Sequence, residues 1–239
     1  MYNIAVILAG GIGARVGGNT PKQLLPLADG RSVLEHAVDT FEQSPHIHEV
    51  CIVMHPDYIA YAEQMLLVNA WQKVRHIISG GKERWESSVN AIRRLGDKAI
   101  RRETKGEEVN LLLHDAARPF VSQDIIARVC EALQEHEAVT VAIPSTDTVY
   151  EMADDRVARI PQRSTIMRAQ TPQAFRLELI AEAYTKALGA DICDEQACAA
   201  CHLPATDDCG IVHEHMPHIP IHIVLGEEQN KKITFKEDI

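Results

Sequence analysis

The chain has 239 residues, and its 24 lysines and arginines against 34 aspartates and glutamates give a formal net charge of -10. With 46% hydrophobic and 24% charged residues, it has the composition of a globular protein that buries a full core, which excludes disordered and collagen-like classes. The acidic balance argues against nucleic-acid binding, and no apolar stretch approaches the roughly 20 residues of a membrane-spanning helix. Because no basic segment precedes the first apolar run, we expect a cytoplasmic protein without a membrane span or a nucleic-acid partner.

Short apolar runs rich in β-branched residues alternate along the chain with stretches of helical spacing. The runs are typical of strands buried on both faces of a parallel sheet, and they are Ile4–Ala9, Val50–Met54, His76–Ser79, Val109–His114, Ala138–Ile143 and Ile221–Leu225. Apolar residues three and four positions apart predict helices, which are 32–41, Ser87–Leu95, Gln123–Leu133 and Glu178–Leu188. This alternation predicts an α/β fold with a mostly parallel, Rossmann-like sheet of the nucleotidyltransferase type. With no internal repeat or linker, we expect a single domain over residues 1–239.

The segment Thr146–Thr171 breaks the alternation. The turn signal Ala153-Asp154-Asp155 separates two short, β-prone and charged pieces, which predicts a β-hairpin. The hairpin has too few apolar residues for a core element, and a projecting hairpin needs a partner for its open face. We therefore interpret this segment as a dimerisation arm, with a solvent-exposed pair of loops as the alternative.

A glycine-rich loop follows the first predicted strand, from Gly10 to Gly18. Glycines there let backbone amides approach an anion closely, which favours a phosphate site. The loop lacks the Gly-Lys-Ser/Thr of a Walker A motif, and Val16 stands where a dinucleotide fingerprint has its third glycine. Two cations, Arg15 and Lys22, suit a triphosphate whose charge grows in the transition state. A structural turn with two solvated cations is the alternative.

Four of the six cysteines fall between Cys193 and Cys209, with His202 alongside. Only Cys198 and Cys201 have the spacing of a zinc-ligand couple, and the second couple that a zinc site usually needs is missing. We expect reduced thiols in a surface loop rather than a structural metal site.

Seven motifs occur in order along nearly the whole chain. They are AGGIGARVGGNTPKQ from Ala9, GGKERWES from Gly80, HDAARP from His114, PSTDT from Pro144, QTPQ from Gln170, ATDD from Ala205 and NKKIT from Asn230. Together they resemble the motifs of the polyol-phosphate cytidylyltransferase family, above all the members that act on 2-C-methyl-D-erythritol 4-phosphate. The resemblance implies that CTP and a polyol phosphate are the substrates, that Mg2+ is the cofactor and that the protein is a homodimer.

The resemblance also implies roles for individual residues. Arg15 and Lys22 would stabilise the charge on the α-phosphate, while Arg163 and Lys232 would hold the acceptor phosphate, with Thr148 as a hydroxyl donor. Arg163 and Thr148 would reach from the arm into the partner's site. The implied nucleotide-binding set is Ala9, Gly10, Gly11, Gly13, Gly81, Ser87, Asp115, Ala116 and Arg118, and Thr171 and Thr206 join the substrate-binding set. Because the acceptor's own phosphate is already anionic near neutral pH, the reaction needs no general base.

Several of these residues have ordinary alternatives. Asp115 would orient the ribose or contact a magnesium ion held mainly by the triphosphate. Arg118 would contact the nucleotide or pair with Asp115 and brace its loop. Ser87 would contact the base or cap a helix, and Lys232 outside the NKKIT pattern would be a solvated surface charge.

Three functions remain open at this point. The HDAARP and TDD motifs favour methylerythritol phosphate as the acceptor, whereas the glycine loop, TPQ and NKKIT motifs are shared with relatives that act on ribitol 5-phosphate. Gln229 departs from the aspartate that the family often has before Asn230, which bears on contacts to the polyol hydroxyls. The third candidate is a catalytically silent nucleotide-binding protein. The presence of four cations that would stabilise a transition state argues against it, because a protein that only binds a nucleotide does not need them. These cations are Arg15, Lys22, Arg163 and Lys232.

Overall fold

The computed structural model describes residues 1–11, 21–97, 104, 106–192, 203 and 206–238. Within these residues the nine strands are β1 Tyr2–Ala9, β2 Glu49–Met54, β3 Val74–Ser79, β4 Val109–Asp115, β5 Ala138–Pro144, β6 Glu151–Ala153, β7 Arg156–Arg159, β8 Met167–Arg176 and β9 His222–Leu225. Seven of them form one sheet in the order β3-β2-β1-β4-β8-β5-β9. All neighbours in it are parallel except β8, which pairs antiparallel with both β4 and β5.

Helices cover both faces of the sheet. They are α1 Val33–Gln43, α2 Ile59–Asn69, α3 Arg84–Leu95, α4 Gln123–Ala132, α5 Leu177–Leu188 and α6 Asp208–His215. Alternate residues of β1 point to opposite faces, so that Ala5 and Ile7 pack with α1, α2 and α4, while Ile4 and Val6 pack with α3, α5 and α6. Two hydrophobic cores thus hold β1 and β4 at the centre, and the carboxyl ends of these strands meet at one edge.

The predicted α/β fold with a mostly parallel sheet is confirmed. The six predicted strands and four predicted helices are present with bounds that differ by a few residues. Three elements were missed, namely α2, α6 and the core strand β8. None of the helices among the described residues is long and apolar enough to cross a membrane.

The predicted hairpin is present as β6 and β7, which pair antiparallel around a turn at Asp154. Asp154 has a φ of 54°, which is the left-handed conformation that tight turns between strands require. The predicted carboxyl end of the arm was wrong, because Met167–Arg176 lies within the main sheet as β8. Polar residues such as Gln170 and Gln173 disguise this strand in the sequence, yet both side chains are buried. The arm is therefore residues 146–166.

Cys51 and Cys130 are buried free thiols and Cys209 is a half-buried one. Burial raises the pKa of Cys51 and of Cys130 to about 12, so both remain protonated and unreactive at neutral pH. Cys193, Cys198, Cys201 and His202, on which the zinc question depends, lie outside the described residues.

Candidate active site

A cleft of about 470 Å³ opens where β1 and β4 end. Ligands of α/β folds bind at this carboxyl edge because loops and helix N-termini converge there. The predicted site residues that line the cleft are Ala9, Gly10, Gly11, Lys22, Gly81, Ser87, Asp115, Ala116 and Lys232. Gly13 and Arg15, two further predicted site residues, lie outside the described residues.

The first turn after β1 is fixed from behind by Gln23. This side chain is only 3% exposed, and its Nε2 donates to the carbonyl oxygens of Ala9 at 2.7 Å and Gly11 at 2.8 Å. A Cβ on Gly10 would approach the Ser87 Oγ to 2.8 Å, so a larger residue at position 10 would displace the cleft wall. Glycine is therefore required here for a close approach of two chain segments.

The opposite wall is the turn that leads into α3. Glu83, not Ser87, is the N-cap of this helix, and it forms a reciprocal capping box with Glu86. Ser87 instead accepts a hydrogen bond from the Gly81 N–H at 3.1 Å and is 3% exposed. The capping interpretation of Ser87 was thus wrong, because this hydroxyl ties the turn to the helix at the cleft.

Asp115 ends β4 between two cations. Arg84 Nε donates to its Oδ1 at 3.0 Å, and Lys232 Nζ donates to its Oδ2 at 2.7 Å. Burial disfavours the charged carboxylate, but Arg84 and Lys232 outweigh it and hold the pKa of Asp115 far below its usual range. Asp115 is therefore ionised at neutral pH and fixes the ammonium group of Lys232 at the cleft.

Arg118 forms its hydrogen bonds with backbone carbonyls and not with the Asp115 carboxylate. Its guanidinium donates to the backbone carbonyls of Asn230 at 2.8 Å and Ala169 at 3.2 Å. The pairing alternative for Arg118 was wrong, because the cations that contact the Asp115 carboxylate are Arg84 and Lys232. The bracing part of that interpretation is correct, since Arg118 joins the loop after β4 to β8 and to the C-terminal segment.

Thr171 and His114 lie behind Asp115. The Thr171 hydroxyl accepts from the backbone N–H of Asp115 at 3.1 Å and lies 3.1 Å from His114 Nδ1. His114 Nε2 is 2.9 Å from the carbonyl oxygen of Arg118, which can only accept. The ring is therefore protonated on Nε2, and Nδ1 accepts from Thr171. Thr171 does not line the cleft, and its hydroxyl instead holds the backbone of Asp115.

The imidazole of His114 is fully buried, and burial lowers its pKa to about 4. Both ring nitrogens already have partners within the fold. His114 is thus a neutral structural residue beneath the site and not a proton-transfer group.

The C-terminal segment crosses the cleft and brings a second lysine to it. Lys22 Nζ donates to the carbonyl oxygen of Ile233 at 3.0 Å, and the N–H of Ile233 donates to Ala117 at 2.8 Å. Asn230, which is fully buried, anchors the segment through its Nδ2 to the carbonyl oxygen of Thr171 at 2.9 Å. These bonds place the ammonium groups of Lys22 and Lys232 in one cleft.

The charged residues of this region that sequence reasoning missed include Arg84 and Asp208. Asp208 is 0% exposed and accepts from Arg84 Nη1 at 2.6 Å and from the Tyr184 hydroxyl at 2.7 Å. Both residues stand inside recognised motifs, GGKERWES and ATDD, which was the available signal. Thr206 of the second motif is exposed and does not line the cleft.

Thr148 and Arg163 lie on the arm and do not line this cleft either. Both are exposed, and Arg163 Nη1 is 3.5 Å from the carbonyl oxygen of Thr146. The arm carries a row of exposed apolar side chains, which are Val149, Tyr150, Met152, Val157 and Ile160. Among the described residues, no group of three or more His, Cys, Asp or Glu side chains could hold a metal ion by itself.

Comparisons with known proteins agree along the whole chain. The family model described as IspD, 2-C-methyl-D-erythritol 4-phosphate cytidylyltransferase, matches residues 3–239. The 2-C-methyl-D-erythritol 4-phosphate cytidylyltransferase of Thermobifida fusca is 40% identical over 98% of this chain and 89% of its own length. The bifunctional ribulose 5-phosphate reductase/CDP-ribitol pyrophosphorylase Bcs1 of Haemophilus influenzae is 36% identical over 99% of this chain and 46% of its own length.

The fold gives the same result as the sequence. The crystal structure of 4-diphosphocytidyl-2C-methyl-D-erythritol synthase from Anaerococcus prevotii matches with a TM-score of 0.77 at 27% identity, covering 99% of this chain and 92% of that chain. The resemblance inferred from the seven motifs is thereby confirmed. The chain belongs to the 2-C-methyl-D-erythritol 4-phosphate cytidylyltransferase family.

Proposed function

We propose that this protein transfers the cytidylyl group of CTP to 2-C-methyl-D-erythritol 4-phosphate and releases pyrophosphate. The observation that carries the proposal is the pair of ammonium groups, Lys22 and Lys232, in a glycine-walled cleft of a chain of this family. An oxygen of the acceptor phosphate attacks the α-phosphorus, and the bond from that phosphorus to the oxygen bridging the β-phosphate breaks. Pyrophosphate leaves with the electrons of that bond.

The nucleotide would lie between the two glycine turns. Gly11 has open space where a Cβ would lie, which leaves room for phosphate oxygens close to the backbone, while Gly81 and Ser87 line the opposite wall for the base. Lys22, together with Arg15 from outside the described residues, would neutralise the charge that grows on the α-phosphate. Cations fixed in advance lower the barrier because they interact more strongly with the transition state than with the ground state.

Lys232 would bring the acceptor phosphate to the nucleotide. One of its three N–H donors is used by Asp115, which leaves the others for phosphate oxygens. The acceptor phosphate is itself the nucleophile and is largely ionised near neutral pH. The buried, neutral state of His114 supports this scheme, since the reaction requires no general base at that position.

Mg2+ is part of the proposal, and the donor set of the cleft fits it. Asp115 supplies one carboxylate, and each of its oxygens has a lone pair besides the one that faces Arg84 or Lys232. Mg2+ usually binds one or two protein carboxylates together with phosphate oxygens and water. When bound, it would neutralise part of the triphosphate charge, while the chain's own contribution is to hold Asp115 at the end of β4.

The arm supports a homodimer in which each arm completes the partner's site. Its exposed apolar residues, such as Met152 and Val157, belong to neither of the two hydrophobic cores that the described residues form. Arg163 and Thr148 lie outside the cleft of their own chain, so a role in binding the acceptor phosphate requires a second subunit. This arrangement would give each site Lys22 and Lys232 from one subunit and Arg163 from the other.

Ribitol 5-phosphate is the second candidate acceptor. The relative whose name includes CDP-ribitol pyrophosphorylase is 36% identical over nearly the whole chain, so the shared cleft by itself is compatible with either polyol. The family match and the relative from Thermobifida fusca favour methylerythritol phosphate.

The test is pyrophosphate release from CTP with each acceptor in separate reactions. We expect turnover with 2-C-methyl-D-erythritol 4-phosphate and a kcat/KM at least about 10-fold lower with ribitol 5-phosphate. The reverse preference would assign the protein to ribitol phosphate. No pyrophosphate from either acceptor, with CTP binding intact, would make the protein a silent nucleotide binder.

A further inference from the structure

A chain of four direct polar contacts runs from the buried core to the cleft. It begins at the Tyr184 hydroxyl on α5, passes through Asp208 to the guanidinium of Arg84, and continues through Asp115 to the ammonium of Lys232. Each contact is between 2.6 and 3.0 Å. The first charged member, Asp208, is completely buried, whereas Lys232 at the far end is 38% exposed.

The charges along this chain alternate. Two carboxylates and two cations balance each other, and Arg84 is the only cation among the described residues that contacts both carboxylates. Asp208 in turn is held by the Gln173 side chain, whose Oε1 accepts from the Asp208 backbone N–H at 3.1 Å. Arg84 is thus clamped at one end by the core and holds Asp115 at the other.

One feature of Arg84 indicates that its role is more than stability. Its Nη2 is buried and has no hydrogen-bond partner among the described residues. Native structures rarely leave such donors unsatisfied, because an unmade hydrogen bond in the interior is unfavourable. The guanidinium is therefore oriented by the two carboxylates at the expense of its third nitrogen.

We propose that Arg84, held by Asp208, is a positioning residue that fixes the Asp115 carboxylate and through it the ammonium of Lys232, and that this network sets how the acceptor phosphate is presented to the nucleotide. The inference rests on the proposed function. A planar guanidinium can contact two carboxylates in fixed directions, which a lysine ammonium on a flexible stem does not do. A variant that lacks Asp208 or Arg84 still contains Asp115 and Lys232, but the side chains of these two residues are no longer held in fixed positions.

The test compares three variants with a matched control. D208N keeps the shape of the side chain and removes its charge, R84K keeps the charge without the planar fork, and Y184F removes only the phenol donor. The control is R31M, because Arg31 also forms an ion pair with an aspartate, Asp39, but lies outside the cleft. Circular dichroism and thermal unfolding show which variants are folded, and only folded protein is assayed.

We expect D208N to lower kcat by about 100-fold and to raise the KM for the acceptor by about 10-fold, while the KM for CTP changes by less than about 3-fold. The kcat of R84K should lie between those of D208N and the wild type. The kcat of Y184F should be less than about 10-fold below that of the wild type, and the kcat of R31M should equal it. A purely structural network would instead lower the unfolding temperature and leave the kinetic constants of the folded fraction unchanged. That result would overturn the proposal, as would a loss confined to the KM for CTP.

A second readout needs no substrate and separates this proposal from the proposed function. Acylation of Lys232 by an amine-reactive reagent, followed by peptide mass spectrometry, reports how firmly Asp115 holds the ammonium. We expect labelling of Lys232 to be at least about 3-fold faster in D208N and R84K than in the wild type or R31M. Equal rates would overturn the positioning role even if the enzyme turned over. Absent turnover in the wild type would instead disprove the proposed function alone.

Discussion

The cleft and the arm are built by opposite means. At the cleft and directly beneath it, the side chains are buried and held by hydrogen bonds from their own chain, as Asp115, His114 and Asn230 show with less than 10% exposure each. In the arm, every residue from Glu151 to Ile160 is exposed, and the short strands β6 and β7 pair with each other apart from the main sheet.

This difference shows what each region requires. A cation that must stabilise a transition state has to be held in advance, and the buried network beneath the cleft does this within one chain. A two-stranded hairpin in isolation is only marginally stable, so the arm needs a second surface. In the proposed function, one subunit therefore supplies the whole cleft except for Arg163, which binds the acceptor phosphate. The arm that carries Arg163 contributes to a site only in a dimer.

Removal of divalent cations is expected to have the largest effect, and it acts on the cleft alone. With EDTA in excess over metal, turnover of CTP should fall by about 1000-fold or more and return on addition of Mg2+. The unfolding temperature and the oligomeric state should not change, because the proposed Mg2+ binds together with the triphosphate of CTP and not in a protein site of its own. Full activity in EDTA would contradict the role proposed for Mg2+.

Replacement of Lys22 by alanine is expected to lower kcat by about 1000-fold with the fold intact, because the charge on the α-phosphate loses a fixed cation. The matched control is K73A, since Lys73 Nζ also donates to a backbone carbonyl, that of Ser44, but lies outside the cleft. Single-turnover measurements separate chemistry from binding. A kcat of K22A within about 3-fold of the wild type would show that the transition-state role is misassigned.

Replacement of Arg163 by alanine tests the other region. We expect kcat/KM for the acceptor to fall by about 100-fold with CTP binding unchanged, whereas R156A at the tip of the same hairpin serves as the unaffected control. An equal mixture of K22A and R163A subunits should recover roughly a quarter of the wild-type activity, since half of the dimers then contain one intact site. No recovery after subunit exchange would mean that the site is not shared between chains.

The buried floor of the cleft makes stability depend on pH. His114 has a pKa of about 4 in the folded protein, against about 6.5 for an unfolded histidine. The unfolded chain therefore takes up a proton first, so the contribution is complete above about pH 6.5 and is lost as the pH falls toward 4. The loss should amount to roughly 3 kcal/mol of unfolding free energy.

Urea unfolding of the wild type and H114Q between pH 4 and 7 measures this loss, and the unfolding free energy of H114Q should depend less steeply on pH. If H114Q does not fold, the protonation state of His114 is measured from the imidazole NMR signals of the wild type. His114 should stay neutral at pH 5, and a protonated ring at that pH would contradict the assignment.

The sequence was sufficient for the regions where local pattern and burial agree. β1 and β4 contain the apolar runs Ile4–Ala9 and Leu111–Leu113, as expected for strands covered on both faces, and α1 shows clear helical spacing after its Ser32 cap. The turn at Asp154 was also predictable from its residues.

The elements that were missed are those in which local pattern and tertiary environment disagree. Helix α2 exposes Leu67 at 80% and Val68 at 75%, so its apolar residues do not fall on one face. Strand β8 contains polar residues whose burial is satisfied only by distant partners, as when Gln170 Nε2 donates to the carbonyl oxygen of Glu227.

Within the site, too, sequence reasoning missed the contacts between residues that are far apart in the chain. The motifs predicted that Lys22, Asp115 and Lys232 belong together, and the cleft contains all three. Arg84 and Asp208 each stand in a recognised motif, but they are 124 positions apart in the sequence, and neither motif indicates that the two side chains pair. Contacts of this kind follow from the topology of the sheet, which brings the N-terminal residues of α3 and α6 to the end of β4.

The most direct test of the central claim is a competition between the two acceptors in one reaction. The enzyme, CTP and Mg2+ are mixed with equal concentrations of 2-C-methyl-D-erythritol 4-phosphate and ribitol 5-phosphate, and the two cytidine diphosphate products are quantified by mass spectrometry at early times. The product ratio equals the ratio of kcat/KM values, so it is independent of enzyme concentration. We predict that the methylerythritol product exceeds the ribitol product by at least about 10-fold. An excess of the ribitol product, or the absence of both products, would contradict the assignment.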